Sequence, residues 1–299
     1  MFTIDANLDI EARWAGAPLP IAIATRVSYY AALTWALAPA KAQVRIYAPA
    51  SVDAARIDLP VAMATGKLGR PADLVWANPA QKAANDRRLA MQLAAAHGIG
   101  VPGAHAISAV DELALDGPWV AKGLWTSAGR DRCHGSGALA SDQRTRVTRL
   151  IERFGAVVVE PWLPRALDLG VCAWIADEGV RVDPPHGLVT DARGTFLGID
   201  LAAPVLVGDE RARLVTFVSA AGEKLRALGY RGPIAVDAFI AGTERMLCVC
   251  EINARYSFGW IARALGERFG TTRLGFSAAP PEARVLIDPA NDGITAWIS

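Results

Sequence analysis

The chain has 299 residues, 52% of them hydrophobic and 20% charged, enough apolar mass for two or three packed units and too much for a disordered chain. Lysine and arginine number 31 against 30 aspartate and glutamate, a formal net charge of +1, so no global field draws in nucleic acid or an anionic membrane and any anion site must be local. No apolar run reaches the roughly 18 residues of a spanning helix, and the N-terminus lacks the basic-then-apolar pattern of a signal peptide, so a cytoplasmic protein is expected.

In chain order, the apolar run Leu19–Ala24 reads as a buried strand, Ser28–Leu37 as a helix that Ser28 can cap, and Val44–Tyr47 and Leu74–Ala77 as further strands. Strands alternating with helical pattern imply a parallel sheet, so residues 1–83 read as a small open α/β domain. Asn85–His97 has helical composition, opens with a capping residue and ends at Gly98, after which Val101-Pro102-Gly103 breaks the pattern. Trp119–Lys122 and Val157–Glu160 are β-rich runs enclosing a glycine-bearing loop and the helical stretch Arg144–Phe154, a small α+β lobe. Beyond Pro161 come Leu169–Ile175, Gly187–Val189, Phe196–Leu201, a helix over Asp209–Leu228, and the strands Ile234–Ile240 and Met246–Asn253. Here strands outnumber helices, which favours an antiparallel or mixed sheet. Cys133, Cys172, Cys248 and Cys250 lack a metal-ligand spacing and read as reduced, packed thiols.

Chemistry concentrates near the end. Asp237, Glu251 and Asn253 interrupt apolar strands, where unpaired carboxylates are costly. Gly242-Thr243-Glu244-Arg245 can turn a hairpin, and a turn centred near Glu244 sets Asp237 opposite Glu251, with Asn253 on the same face. Two carboxylates and an amide oxygen suit Mg²⁺, which keeps waters and takes its other ligands from phosphates; the plain alternative is a pair of surface-facing residues on half-exposed strands. Upstream, Lys122 ends an apolar strand, and small residues follow whose backbone N–H groups can approach a polyphosphate, with Arg130 and Arg132 adding charge. Alone, Lys122 also reads as a surface lysine, and Glu160-Pro161-Trp162 as a strand end with a proline stop and a packed tryptophan.

Glu251-Ile252-Asn253-Ala254-Arg255 resembles the Glu-x-Asn-x-Arg signature of the ATP-grasp superfamily, with Asp237 similar to the acid of the preceding strand and Ala254 standing where proline is commoner. Lys122, the Thr126–Gly129 loop and Val157–Trp162 resemble, in the family's order, its phosphate-binding lysine, triphosphate loop and adenine hinge. The resemblance implies an α/β chain with the ATP-grasp fold of two α+β lobes, residues 84–160 as a central lid and 161–299 as a C-terminal lobe with the metal site, preceded by a Rossmann-like domain over 1–83. It further implies that Asp237, Glu251 and Asn253 hold Mg²⁺, or Mn²⁺ in its place, against ATP, and that Lys122, Thr126, Ser127, Ala128, Gly129 and Arg130 meet the phosphates. Arg87, with Arg88 as the alternative, would reach the α-phosphate. Glu160 would accept from the adenine amino group, the backbone at Pro161, Trp162 and Leu163 would meet the other ring edge, Asp168 would take the ribose hydroxyls, and Arg255 would hold the acceptor. The implied activity is an ATP-dependent carboxylate–amine ligase acting through an acyl phosphate on small molecules, amino-acid or peptide-like, as a homodimer without nucleic-acid or membrane partners. A small-molecule kinase on the same fold and a non-catalytic nucleotide-binding protein are the alternatives. His186 reads as a turn histidine bonded to backbone rather than a catalytic group.

Overall fold

The computed structural model describes residues 3–6, 20–66, 80–114, 116–126, 131–192, 194–202, 204, 206–290 and 292–299. In chain order these hold β1 (Thr3–Ala6), α1 (Ile21–Ala31) continued by a 3-10 segment (Ala32–Leu37), β2 (Gln43–Ala48), β3 (Val61–Thr65), α2 (Gln81–Ala84), α3 (Arg87–Ala96), β4 (His105–Ile107), β5 (Pro118–Gly123), β6 (Arg132–Ser136), α4 (Ser141–Phe154) and β7 (Val157–Pro161). There follow β8 (Arg165–Ile175), β9 (Val180–Val182), β10 (His186–Thr190), β11 (Phe196–Asp200), α5 (Glu210–Ala227), β12 (Gly232–Ala241), β13 (Met246–Asn253), α6 (Phe258–Phe269), β14 (Arg273–Gly275), β15 (Arg284–Ile287) and β16 (Ala296–Ile298). No helix among the described residues is long and apolar enough to cross a membrane.

One compact unit comprises Met1–Asn78, Pro184–Pro204 and Arg255–Ser299. Its first three strands form a parallel sheet in the order β1-β2-β3, and β10, β11, β14, β16 and β15 follow one another in an antiparallel ladder. Tyr29, Leu33, Val44, Ile46, Ile261, Leu265, Leu286 and Ile298 are buried together in its core, each contributing on the order of 1.5–3 kcal/mol by leaving water. The strand expected over Leu19–Ala24 is instead the start of α1 from Ile21, behind the helix-entering Pro20. A short apolar run has no period of its own, and here it continues into an eleven-residue helix. Ser28 therefore caps nothing; it lies inside α1 and donates through Oγ to Ala24 O at 2.8 Å. The strand expected at Leu74–Ala77 lies outside the described residues.

The other unit comprises Pro79–Asp183 and Val205–Ala254. One antiparallel sheet runs β4-β7-β5-β6 and carries α4, whose Val147, Leu150 and Phe154 point inward at helical spacing. A Cβ at Gly135 of β6 would sit 2.0 Å from the Trp119 ring, so only glycine lets that buried indole lie on the neighbouring strand. The second sheet pairs β13, β12, β8 and β9, antiparallel throughout as the strand-rich composition implied. Leu214, Phe217, Val218, Ala221 and Leu225 line the buried stripe of α5, which packs on β8 and β9. At the β12–β13 turn Arg245 takes a left-handed φ of 56° and makes two 2.8 Å bonds to Glu210, a fork that offsets the strain of that backbone.

Candidate functional site

The hairpin of β12 and β13 presents the acidic residues. Its strands pair Ala241 with Met246 and Ala238 with Val249, then shift register, so that Asp237 pairs with Glu251 and Ala235 with Asn253. The extra residue is Cys250, a β-bulge one step before Glu251. Asp237, Glu251 and Asn253 thus share a face, and Asn253 Nδ2 donates to Asp237 Oδ2 at 3.0 Å. Among the described residues no group of three or more His, Cys, Asp or Glu could hold a metal ion. The face of Asp237, Glu251 and Asn253 offers two carboxylates and one amide, oxygen donors of the type hard cations take.

Arg87 begins α3, which Asp86 caps by accepting from Arg88 N at 2.9 Å. Only 7% exposed, it donates to Gly123 O and Thr126 Oγ1 at 2.6 Å each, to Thr126 O at 3.1 Å and to Glu251 Oε2 at 2.9 Å. Burial works against its charge, but the Glu251 carboxylate, helped by Glu160 and Cys250, offsets this and holds the guanidinium above its ordinary pKa. Its Nε is buried without a hydrogen-bond partner. Arg87 therefore ties the base of the Thr126 loop to Glu251. Arg88 turns to Asp86 at 2.6 Å and is the more exposed of the two.

The sequence points to Asn85 as the helix cap; Asp86 takes that role, and Asn85 instead holds the chain beyond β13. Ala254 N donates to Asn85 Oδ1 at 2.9 Å, and Gln81 Nε2 donates to Ala254 O at 2.9 Å, all buried. This clamp fixes the strand end next to Asn253. Its one sequence signal is a pair of amide side chains four residues apart in an otherwise alanine- and lysine-bearing turn.

Lys122 and Glu160 share one face of the β5–β7 pair, where Lys122 opposes Val158 and Val120 opposes Glu160. Lys122 Nζ meets Glu160 Oε2 at 2.5 Å, with 14% and 7% of the two side chains exposed. At the expected hinge Pro161 has no N–H and Trp162 N donates to Pro118 O at 2.8 Å, so neither offers a backbone donor to a ligand. Leu163 packs with Val101, Ala104, Phe239, Ala241, Cys248 and Cys250, an apolar bed beside the ion pair. Asp168 is buried and accepts from Arg165 Nη1 at 2.7 Å, while Arg165 lies over the Phe239 ring at 4.2 Å. Of the expected phosphate loop, Thr126 is buried and held by Arg87, whereas Ser127, Ala128, Gly129 and Arg130 lie outside the described residues. Arg255 is half-buried and is the first residue of the other unit's last segment. His186 departs from the expected backbone-bonded turn residue: it opens β10, 2% exposed, with Nδ1 unpartnered.

Cys133, Cys172, Cys248 and Cys250 form no disulfide. Burial, reinforced by Asp237 and Glu160 against the pull of Lys122 and Arg165, pushes the Cys250 thiol up to about 12, and burial with Glu160 pushes Cys248 up to about 11. In the unfolded chain these thiols ionise from about pH 9, so between there and about pH 12 the folded state holds more protons and its stability falls as pH rises. Denaturant midpoints at about pH 8 and about pH 11 should show this loss, and a Cys248→Ala/Cys250→Ala variant should show a shallower one. An unchanged slope in that variant would assign the alkaline loss to other groups.

No family model matches the sequence. The [butirosin acyl-carrier protein]–L-glutamate ligase of Niallia circulans is 29% identical over 99 residues, which cover 33% of this chain; the chain spans about a quarter (23%) of that relative's length. Among solved structures, the N5-carboxyaminoimidazole synthetase of Staphylococcus aureus matches 99% of this chain and 92% of its own, with a TM-score of 0.59 at 11% identity. The N5-carboxyaminoimidazole ribonucleotide synthetase of Thermus thermophilus matches 100% and 93%, with a TM-score of 0.58 at 12% identity. The fold is the ATP-grasp fold. The ATP-grasp likeness extends to the biotin carboxylase of Campylobacter jejuni, solved as a β-γ-ATP complex, over 73% of this chain and 63% of that one, with a TM-score of 0.52 at 14% identity. The α/β class and the ATP-grasp fold expected from the sequence are thus borne out.

Proposed function

We propose that the chain is an ATP- and Mg²⁺-dependent ligase that activates a small carboxylate as its acyl phosphate and joins it to an amine. The observation that supports this most is the opposition of Asp237 and Glu251, with Asn253 bonded to Asp237, on one strand face of an ATP-grasp fold. Such a set would hold Mg²⁺, which when bound would neutralise charge on the transferred phosphoryl group. Lys122 would exchange Glu160 for a phosphate oxygen, freeing Glu160 to accept from the adenine amino group. With Pro161 and Trp162 unable to donate, Leu163 N–H would meet the ring edge, over the apolar bed of Phe239, Ala241 and Cys248. Asp168 would accept from the ribose, Thr126 to Arg130 would cover the phosphates, and Arg87 would pass between Glu251 and the phosphate chain. Residues 84–160 would close over ATP as a lid, and Arg255 would orient the carboxylate. Closure would keep water from the acyl phosphate. A cytoplasmic homodimer acting on small molecules completes the reading.

An ADP-release screen tests it, pairing small carboxylic acids with amino acids and dipeptides and reading products by mass. L-Glutamate heads the amine panel because the Niallia relative is an L-glutamate ligase. The expected result is ADP release that requires both partners, with a condensed product. A phosphorylated product without condensation would make the chain a kinase, and nucleotide binding with no turnover across the panel would make it a non-catalytic binder.

A further inference from the structure

Among the described residues, two buried nitrogens in the unit that carries α6 lack partners: His186 Nδ1 and Arg263 Nε. They are neighbours. Arg263 projects from the middle of α6 and its Nη2 donates to Pro184 O, two residues before His186, so the guanidinium lies against the Pro184-Pro185-His186 turn. Pro184 O takes the Arg263 Nη2 bond, and no protein group among the described residues meets Arg263 Nε–H or His186 Nδ1. His186 is 2% exposed, and a buried polar nitrogen left without a partner costs roughly 1–3 kcal/mol. The stranded groups are of one kind. Arg263 Nε–H is an obligate donor, and His186 Nδ1 becomes one in the Nδ1–H tautomer. Burial and then Arg263 pull His186 down to about 3, so at neutral pH the pair carries a single positive charge.

We propose that His186 and Arg263 form a binding site for one carboxylate group of a small acceptor molecule. Calling that molecule an acceptor rests on the ligase reading; the anion site itself does not. One carboxylate would accept from Arg263 Nε–H and His186 Nδ1–H and would cancel the guanidinium charge, leaving a neutral buried cluster.

The measurement is the imidazole NMR signal of His186, without ATP, during titration with L-glutamate, acetate or inorganic phosphate. The chain has four histidines, so a His97→Gln/His105→Gln/His134→Gln variant leaves His186 as the single imidazole. The expected result is a saturable shift with the two carboxylates and an upward movement of the His186 pKa, because a bound anion offsets Arg263. Arg263→Gln should weaken the response at least tenfold, and if that variant does not fold, Arg263→Lys should weaken it too, since lysine keeps the charge and lacks the Nε–H. Saturation by phosphate alone would overturn the carboxylate assignment. No saturable shift with any of the three would mean that bound water satisfies the two nitrogens, and would overturn the site. ATP turnover on carboxylates with no imidazole response would leave the ligase reading standing and sink this one, and the reverse pattern would do the opposite.

Discussion

Asp237→Asn should remove ATP turnover, lowering kcat by at least about a thousand-fold, while leaving the fold and its thermal midpoint nearly unchanged. The substitution is isosteric. Its oxygen can still accept from Asn253 Nδ2 at the 3.0 Å seen here, and the β12–β13 register, set by backbone bonds, should hold. What disappears is one of two negative charges on the face proposed to hold the cation. A site with a single carboxylate loses both affinity for Mg²⁺ and the geometry that would bridge it to phosphate, so raising Mg²⁺ should restore little of the rate. ADP release against Mg²⁺ concentration, with circular dichroism as the fold control, makes the comparison. Wild-type turnover in this variant would remove Asp237 from the site.

Glu251→Ala is expected to do something different as well: destabilise the protein by about 3–5 kcal/mol, a drop on the order of 10 °C in thermal midpoint. Glu251 is the carboxylate that answers Arg87, and Arg87 is 7% exposed with its Nε already unpartnered. Removing the partner leaves a buried guanidinium bonded to carbonyls and a hydroxyl but to no carboxylate, with Glu160 acting on it only at a distance. The cost arises from the stranded charge more than from the lost bond. Adding Arg87→Met should therefore recover much of the stability while turnover stays absent, and that recovery separates the structural part of Glu251 from its chemical part. A single variant as stable as wild type would show that water or a side-chain shift relieves Arg87.

The acidic face is legible in the sequence because strands alternate with period two and a four-residue turn limits the register. The expected turn centre at Glu244 is nevertheless off. The hairpin closes between Ala241 and Met246, and an unbroken ladder from there would pair Asp237 with Cys250. The bulge at Cys250 restores the Asp237–Glu251 pairing, and nothing in the local sequence announces a bulge when no glycine marks it. Local patterns place Lys122 and Glu160 at their strand ends but cannot show that the two meet, since that contact depends on how β5 and β7 pair. The Gln81 and Asn85 grip on Ala254 spans more than 160 residues of sequence, and no period or cap rule reaches that far. Leu19–Ala24 fails for the opposite reason: a run of six residues with no polar position inside it fits a strand and a helix equally well.

The bulge also sets which changes of length the hairpin can absorb. Counted from the turn, the β13 arm reaches Glu251 with one residue more than the β12 arm needs to reach Asp237, and Cys250 is that surplus. Losing one codon between Met246 and Glu251 would even the arms, and a plain ladder would still bring the two carboxylates opposite each other. Losing one between Asp237 and Ala241 would widen the mismatch and carry Asp237 to the other side of the sheet. Over descent the second arm is therefore free to shorten by a single step and the first is not, so lineages that keep this site should vary in spacing on one side of the turn alone.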